Sequence, residues 1–435
     1  MTDATDETTT GDDASHVVTA FLRNRGEVLL LGRSGEVGTY AGQWGGVSGF
    51  AEDDPDRQVR VEIAEETGLA DAVTLVRSAR PVRFEDADLG REWVVHPYLF
   101  DCDSREVALS EEHIDYAWVP PTAMVDRETV PKLWAAYERV APTVRSIAAD
   151  GDHGAAYLSI RALEVLRDRA GLLVRERQEA ETAESDAEWD ELAELARRLL
   201  EARPSMAVLR NRVNRAMAEA DEGSAPAVLE SALAGIDRAL EADDEAATAV
   251  SEHVEGTVAT LSRSGTVLEA LRTGEPSRVY VAESRPACEG VDVAEKLADD
   301  LPVTIHTDAA VAHVLASEDV DCVLVGADTV LPDGRVVNKT GTRALALAAA
   351  REEVPVYAVA ATDKVSTREA VNLESGSREA VYDGDAPLDV LNPTFDVTPV
   401  DCVDGIVTER GTLSSAGIGE VAAELRNLEG WASGE

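Results

Sequence analysis

The strongest constraint on the fold is an alternation of short apolar runs with helix-sized segments, which begins near residue 257. The segments between the runs, such as GVDVAEKLADD and TRALALAAAREE, place apolar residues at helical spacing. Alternation of this kind predicts a parallel, doubly wound sheet. The predicted strands are VYVAES (279–284), VTIHT (303–307), DCVLVGA (321–327) and VPVYAVAA (354–361).

The earlier part of the chain has two other patterns. Residues 16–32 alternate around a turn at Asn24 to Gly26, which predicts a β-hairpin at the start of an α+β domain, with helices at about 55–67 and 130–146. From residue 150 to 250 the apolar residues recur at helical spacing, which predicts a helical domain. The fold class is therefore α/β, with a disordered acidic tail at 1–15, an α+β domain at 16–147, a helical domain at 150–250 and a parallel α/β domain at 251–425.

The charge is the most unusual compositional feature. The chain has 84 acidic and 40 basic residues, for a formal charge of −44, which argues against direct binding to nucleic acid or to an anionic membrane. Only four basic residues are lysines, and an acidic, lysine-poor surface resembles that of proteins adapted to high salt. The polar N-terminus is unlike a signal peptide, no apolar run is long enough to span a membrane, and the four cysteines are scattered. We expect a reduced, cytoplasmic protein.

A cluster of glutamates follows a glycine-rich turn in WGGVSGFAEDDPDRQVRVEIAEETGLADA, residues 44–72. On a helix, Glu62, Glu65 and Glu66 are three and four residues apart and share a face. Carboxylates this close repel one another unless a hard divalent ion such as Mg²⁺ or Mn²⁺ binds them. The alternative interpretation is a solvated acidic face, which is common in so acidic a chain.

This stretch resembles the Nudix box, and the resemblance extends over residues 16–147. The matching positions are Trp44, Gly49, Glu52, Glu62, Glu65, Glu66, Gly68 and Leu69. The resemblance implies a Nudix fold in which Glu52, Glu62, Glu65 and Glu66 are metal ligands, with the last three also candidate catalytic groups that hydrolyse a nucleoside diphosphate derivative. Two departures are Val61, where the family usually has Arg, and a loop between Glu52 and Pro55 that is about two residues short.

A second constellation lies at the end of the apolar strand DCVLVGAD. Asp328 would sit at the carboxyl end of a parallel strand, where such sheets bind ligands. Asn338, Lys339, Gly341 and Thr342 precede the apolar helix RALALAAA, and a helix N-terminus with one ammonium is a plausible phosphate cradle. In the alternative interpretation, the hydroxyl that follows Lys339 is only an N-cap and Lys339 is a surface residue.

The surrounding motifs resemble one family: the alpha, beta and delta subunits of translation initiation factor 2B, ribose-1,5-bisphosphate isomerase and methylthioribose-1-phosphate isomerase. The similar segments are VYVAESRPACEG (279–290), VGADTVLPDGRVVNKTGTRALALAA (325–349), ATDK (361–364) and NPTFDVTPVDCVDGIVTERG (392–411). The resemblance covers about residues 150–425. It implies a helical domain followed by a Rossmann-like domain that forms homodimers.

The resemblance also implies roles for individual residues. In the family's isomerases a Cys and an Asp move protons between C1 and C2 of a sugar phosphate, and Asp328 matches that Asp. The phosphate contacts would come from Arg285, Asn338 and Lys339, with Gly154 at the start of the helical domain, and with Gly341 and Thr342 at the predicted cradle. Ser262 occupies the position of the Cys, and a hydroxyl is far less acidic than a thiol.

Three functions follow from these motifs. The first is a Nudix-type diphosphate hydrolase fused to a domain that binds a phosphorylated sugar or nucleotide. The second is an aldose-ketose isomerase acting on ribose 1,5-bisphosphate or a relative. The third is a non-catalytic regulator that senses a metabolite and binds a translation factor. No direct contact with nucleic acid is expected in any of them.

Overall fold

In the computed structural model the chain forms two compact units. Of the residues that the structure describes, the smaller unit includes those from 14 to 142 and from 171 to 180, and the larger unit includes those from 143 to 170 and from 185 to 433. The helical and parallel segments that the sequence suggests as two domains therefore cluster in one unit, apart from residues 171–180, and the N-terminal segment of the smaller unit ends at Pro142. The residues that the structure describes are 14–35, 38–51, 54–180, 185–220 and 223–433, and in these ranges no helix is long and apolar enough to cross a membrane.

An eight-stranded mixed sheet is the framework of the smaller unit. Its strands are β1 (Ser15–Asn24), β2 (Glu27–Arg33), β3 (Trp44–Gly45), β4 (Val47–Phe50), β5 (Val73–Ser78), β6 (Val82–Asp86), β7 (Arg91–Cys102) and β8 (His113–Val119). β1 and β2 form the predicted hairpin, and β1 also pairs with β4 and β7. Most of the predicted tail at 1–15 lies outside the described residues, but Ser15 already belongs to β1.

The helix α1 (Pro55–Thr67) lies where the sequence predicts it, because both of its ends carry strong signals. Asp54 caps the first turn, a proline follows at the first helical position, and Gly68 ends the helix with a φ of 68°. Its buried face includes Val59 and Ile63, which enter the apolar core of the unit. Glu66 lies on this same buried face.

The helix that the sequence suggests at 130–146 is two helices, α2 (Leu133–Val140) and α3 (Val144–Ala149). The break falls at Pro142, which has no N–H to donate and disfavours helical backbone at the residue before it. The long helices that follow in the chain are α4 (Ala155–Ala180), α5 (Ser185–Ala202), α6 (Ala207–Ala218) and α7 (Ala225–Ser251).

A seven-stranded sheet, in the order β11-β10-β9-β12-β15-β17-β18, forms the core of the larger unit and is parallel except for β18. Its strands are β9 (Thr257–Leu261), β10 (Arg278–Ala282), β11 (Val303–His306), β12 (Cys322–Gly326), β15 (Val356–Val359), β17 (Gly405–Thr408) and β18 (Gly411–Leu413). The helices among them are α8 (Gly265–Gly274), α9 (Glu289–Leu297), α10 (Val311–Ser317), α11 (Thr342–Arg351) and α12 (Ser415–Asn427).

Strand order reverses next to β9. The chain runs outward from β9 through β10 to β11, and then returns to place β12 on the other side of β9. Every residue of β12 is buried, with Val323 and Val325 in one apolar cluster and Leu324 in another, so both faces of the strand are covered. A separate antiparallel sheet consists of β13 (Thr329–Val330), β14 (Val336–Lys339) and β16 (Phe395–Thr398).

Candidate functional sites

The carboxyl edge of the parallel sheet carries residues from both sides of the reversal in strand order. Ser262 follows β9, and Asp328 lies two residues beyond β12, the strand paired with β9. Open α/β sheets bind ligands in the crevice at such a reversal, because the connections on its two sides lead to opposite faces of the sheet. Ser262 and Asp328 therefore flank the position where a ligand is expected.

Glu289, in the first turn of α9, connects Ser262 with Lys339. Ser262 Oγ donates to Glu289 Oε2 at 2.8 Å, and Lys339 Nζ is 2.9 Å from Glu289 Oε1. The lysine and glutamate side chains are 19% and 20% exposed, so water screens their ion pair only in part. The ammonium that the sequence assigns to phosphate binding is thus already paired with a carboxylate of the chain.

The carboxyl group of Asp328 is desolvated, and this burial raises its pKa above the usual aspartate value. The nearby ammonium groups of Lys364 and Lys339 act in the opposite direction, while the negative charges of Glu289 and Glu374 raise the pKa further. Burial dominates, so the protonated form of Asp328 persists to higher pH than that of a solvated aspartate. A carboxyl of this kind is suited to donate a proton.

The N-terminus of α11 differs from the predicted cradle. The backbone N–H of Gly341 donates to Asp396 Oδ2 at 2.8 Å, and the N–H of Arg343 donates to the same carboxylate. Thr342 Oγ1 accepts from Asn338 Nδ2 at 3.0 Å, so these two side chains also bond to each other. The free N–H groups that the sequence suggests at this helix are therefore taken by an internal carboxylate.

Arg285 and Gly154 lie toward solvent near this edge. The side chain of Arg285 is 66% exposed and its Nε donates to Glu283 at 3.2 Å, while its backbone N–H donates to Asp308. Gly154 is exposed, and the segment before it reaches the loop after β9, because Arg263 donates to the carbonyl of Asp152. The structure thus places Arg285 and Gly154 on loops at the rim, and Ser262, Asp328 and Lys339 further in.

In the smaller unit, two of the predicted glutamates lie against β4. Glu66 Oε2 accepts from the backbone N–H of Ser48 at 3.0 Å, and Gln58 donates to Glu62 Oε1 at 2.6 Å. Gly49 makes room for Glu62, since a Cβ at this position would lie 1.8 Å from Glu62 Oε1. Glu65 is exposed on the same helix, so the three predicted glutamates differ in their contact with water.

Burial raises the pKa values of Glu62 and Glu66, the latter to about 8, and nearby negative charges add to this effect, that of Glu65 at Glu62 and that of Glu62 at Glu66. His113 Nε2 is 3.9 Å from Glu66 Oε1, and burial lowers the pKa of this histidine to about 4, so it is neutral near pH 7 and does not offset the glutamates. Within the described ranges no group of three or more His, Cys, Asp or Glu side chains is arranged to hold a metal, and Glu52 lies outside those ranges. Carboxylate oxygens are nevertheless the donor type that hard divalent cations prefer, and a bound cation would favour the charged forms of these glutamates.

Comparison with known families agrees with both halves of the structure. Residues 152–415 match the family described as "Initiation factor 2 subunit family", and residues 14–143 match the "NUDIX domain". The chain belongs to the initiation factor 2 subunit family. Its N-terminal unit is a Nudix domain, so the two resemblances that the motifs suggest are confirmed.

The chain is also similar in sequence to individual members of the initiation factor 2 subunit family. The chain is 34% identical over 313 residues to ribose 1,5-bisphosphate isomerase of Haloferax volcanii, covering 66% of this chain and 94% of that protein. It is 35% identical over 178 residues to methylthioribose-1-phosphate isomerase of Pseudomonas aeruginosa, covering 37% of this chain and 49% of that enzyme. A crystal structure of the translation initiation factor eIF-2B of Pyrococcus horikoshii is 28% identical, with a TM-score of 0.53, and covers 63% of this chain and 97% of that one.

Three residues that act on the predicted site residues of the initiation factor 2 subunit domain are not among the candidates that the sequence suggests. They are Glu289, Lys364 and Asp396. Glu289 contacts Lys339, which is 50 residues away in the chain, and Asp396 contacts Gly341, which is 55 residues away. Local spacing does not reveal contacts between residues so far apart. Lys364 is different, because it is one of only four lysines and lies in the ATDK motif. Because lysine is so scarce in this chain, the sequence could have indicated Lys364 as a candidate site residue.

Proposed function

We propose that the chain combines a Nudix-type diphosphate hydrolase with a domain that binds a phosphorylated sugar or nucleotide. The observation that supports the second part is the edge between β9 and β12, where the positive charges of Lys364 and Lys339 act on the desolvated Asp328. Two ammonium groups around one acid suit a ligand with phosphates next to a reactive carbon. The ligand retained by natively purified protein, identified by mass spectrometry, tests this part directly.

In the Nudix domain we propose a Mg²⁺ or Mn²⁺ site at Glu62, Glu65 and Glu66, with Glu52 as a further ligand. The crowded carboxylates and the space at Gly49 support it. When bound, the ion would hold a diphosphate and activate water. The residues of the chain orient the ligands: Ser48 fixes Glu66, and Gln58 fixes Glu62.

Gly49→Ala is expected to lower Mn²⁺ affinity about 10- to 100-fold, because a Cβ would displace the Glu62 carboxylate from its position. Titration of the purified protein with Mn²⁺, followed by electron paramagnetic resonance, measures the affinity. Gly38→Ala is the matched control, since a Cβ there meets no atom within 4 Å. Equal affinity in Gly49→Ala and wild type would contradict the proposed geometry.

Glu65→Gln is expected to reduce hydrolysis of nucleoside diphosphate derivatives by about 10²- to 10⁴-fold, because it removes a proposed ligand or base. Glu65 is exposed, so the change should leave folding intact. Release of monophosphate or phosphate across a panel of such compounds, with Mg²⁺, measures the rate. Glu138→Gln, an exposed glutamate on α2, should keep full activity. No turnover by the wild type across the panel would refute the hydrolase.

A second function, aldose-ketose isomerisation, is favoured by the acid character of Asp328 and by the similarity to an isomerase over 94% of that enzyme's length. We propose ribose 1,5-bisphosphate as the substrate and ribulose 1,5-bisphosphate as the product. Incubation with ribose 1,5-bisphosphate, followed by ³¹P and ¹H nuclear magnetic resonance, tests it.

The remaining proposals concern partners. We propose that the initiation factor 2 subunit domain forms homodimers, which sedimentation of the intact chain tests. Tight binding of a phosphosugar without turnover would instead favour the metabolite-sensing regulator. Co-purification with a translation factor only when the ligand is present would then identify its partner.

A further inference from the structure

The isomerase candidate needs a group that moves a proton between two carbons, and Ser262 is poorly suited to this role. A serine hydroxyl does not ionise near neutral pH, whereas a thiol titrates at about pH 8.5. The neighbouring residues therefore decide whether the edge of the sheet can carry out proton transfer. One of them, Glu289, is a carboxylate that directly contacts the Ser262 hydroxyl.

Glu289 is held in a defined position from two sides. Its Oε2 accepts from Ser262 Oγ at 2.8 Å and its Oε1 lies 2.9 Å from Lys339 Nζ. It is the first residue of α9, where the positive end of the helix dipole favours negative charge. Glu289 contacts Ser262, which follows β9, and Asp328 follows the neighbouring strand β12, so the two carboxyl groups lie at the same edge of the sheet.

We propose that Glu289 is the proton carrier of the isomerase, that it replaces the missing thiol, and that Asp328 is its acid partner. This inference rests on the isomerase candidate described above. The two carboxyl groups differ in environment: Glu289 is paired with an ammonium, and Asp328 is desolvated. Such a difference is how one site provides both a base and an acid.

The protons balance over one turnover. Asp328 donates its proton to the ring oxygen as the bond between C1 and that oxygen breaks. The Glu289 carboxylate takes the proton from C2, which leaves an enol with a double bond between C1 and C2. The C2 hydroxyl then gives its proton to Asp328 as the ketone forms, and Glu289 returns a proton to C1. Both carboxyl groups end as they began, and no other reactant is consumed.

The alternative is that Glu289 only fixes Lys339 and the loop after β9. Glu289→Gln separates the two roles, because the amide oxygen can still accept from Ser262 but cannot carry a proton. It also removes the negative charge that competes for the Lys339 ammonium. A carrier role therefore predicts lost turnover with ligand affinity equal to or tighter than that of wild type.

The experiment compares wild type with Glu289→Gln on ribose 1,5-bisphosphate in D₂O. We expect kcat to fall about 10²- to 10⁴-fold in the variant. Transfer of solvent deuterium to C1 should fall in parallel, while calorimetry shows undiminished binding of ribulose 1,5-bisphosphate. Glu295→Gln, an exposed glutamate on α9, and Cys288→Ser, which removes the adjacent thiol, should both retain wild-type rates. Glu289→Asp, which keeps a carboxylate on a shorter stem, should be faster than Glu289→Gln.

Three results would overturn the inference. If Glu289→Gln isomerises at a rate close to that of wild type, Glu289 is no carrier, although the enzyme is an isomerase. If turnover and ligand binding fall together in both Glu289→Gln and Glu289→Asp, the residue has a structural role. If the wild type forms no ribulose 1,5-bisphosphate, the isomerase function itself fails, and the inference fails with it.

Discussion

Asp328→Asn is expected to reduce isomerisation of ribose 1,5-bisphosphate by about 10²- to 10⁴-fold, because the amide cannot donate a proton to the ring oxygen. The rate of the wild type should also fall as pH rises through the raised pKa of Asp328, since only the protonated form is active as the acid. The pH dependence of kcat/KM measures this. Asp319→Asn, an exposed aspartate before β12, is the control and should keep the wild-type profile.

Stability provides an independent measurement on the same variant. Burial raises the pKa of Asp328 in the folded state above its unfolded value, so its contribution to stability is present at low pH and is lost as pH rises through the folded pKa. The asparagine side chain has no ionised form to desolvate. Thermal unfolding near neutral pH should therefore occur at the same temperature as in wild type or higher. A large fall in this temperature would show that Asp328 has a structural role.

Asp363→Ala is expected to lower the free energy of unfolding of the larger unit by about 3–5 kcal/mol, because it removes the carboxylate that pairs with both Arg212 and Arg215 and leaves the charge of the buried Arg212 less well compensated. Asp363 Oδ2 is 3.3 Å from Arg212 Nε, and Asp363 Oδ1 is 3.1 Å from Arg215 Nη2. The Arg212 side chain is only 1% exposed, so water cannot replace the lost carboxylate. Asp363 also precedes Lys364, whose position near Asp328 should be lost at the same time.

Calorimetry of the whole chain measures this effect, because a chain with two compact units can unfold in more than one transition. The transition of the larger unit should move to lower temperature in Asp363→Ala, and that of the Nudix domain should stay in place. Asp385→Ala, at an exposed aspartate of the same unit, should change neither. If Asp363→Ala leaves both transitions unchanged, the buried network contributes little to folding.

Local signals were enough to predict the main elements of both units. The apolar run of β12 indicates a strand that is covered on both faces, and α1 begins and ends at its sequence signals. The glutamates that pack against β4 were also predictable, because helical spacing puts Glu62 and Glu66 on one face. The exposure of Glu65 could not be predicted, because it depends on how the helix is rotated against the sheet.

The contacts that define the proposed phosphosugar site could not be predicted from local signals. Spacing between neighbours places Asn338 and Lys339 just before α11, but it does not show which distant carboxylates they meet. Glu289 comes from the connection after β10, and it reaches Lys339 only because the parallel sheet collects its loops at one edge. Prediction of these contacts needs the order of the strands, which a single sequence does not provide.

The carboxylate of Asp396 at the start of α11 affects which ligands this edge can retain. Because Asp396 is tethered, its effective concentration at the Gly341 N–H is far above that of any dissolved metabolite. A free phosphate ion competes poorly against such an internal anion. We therefore expect retention of the proposed ligand to depend on side-chain cations, and a molecule with two separated phosphates can engage more of these cations than orthophosphate can.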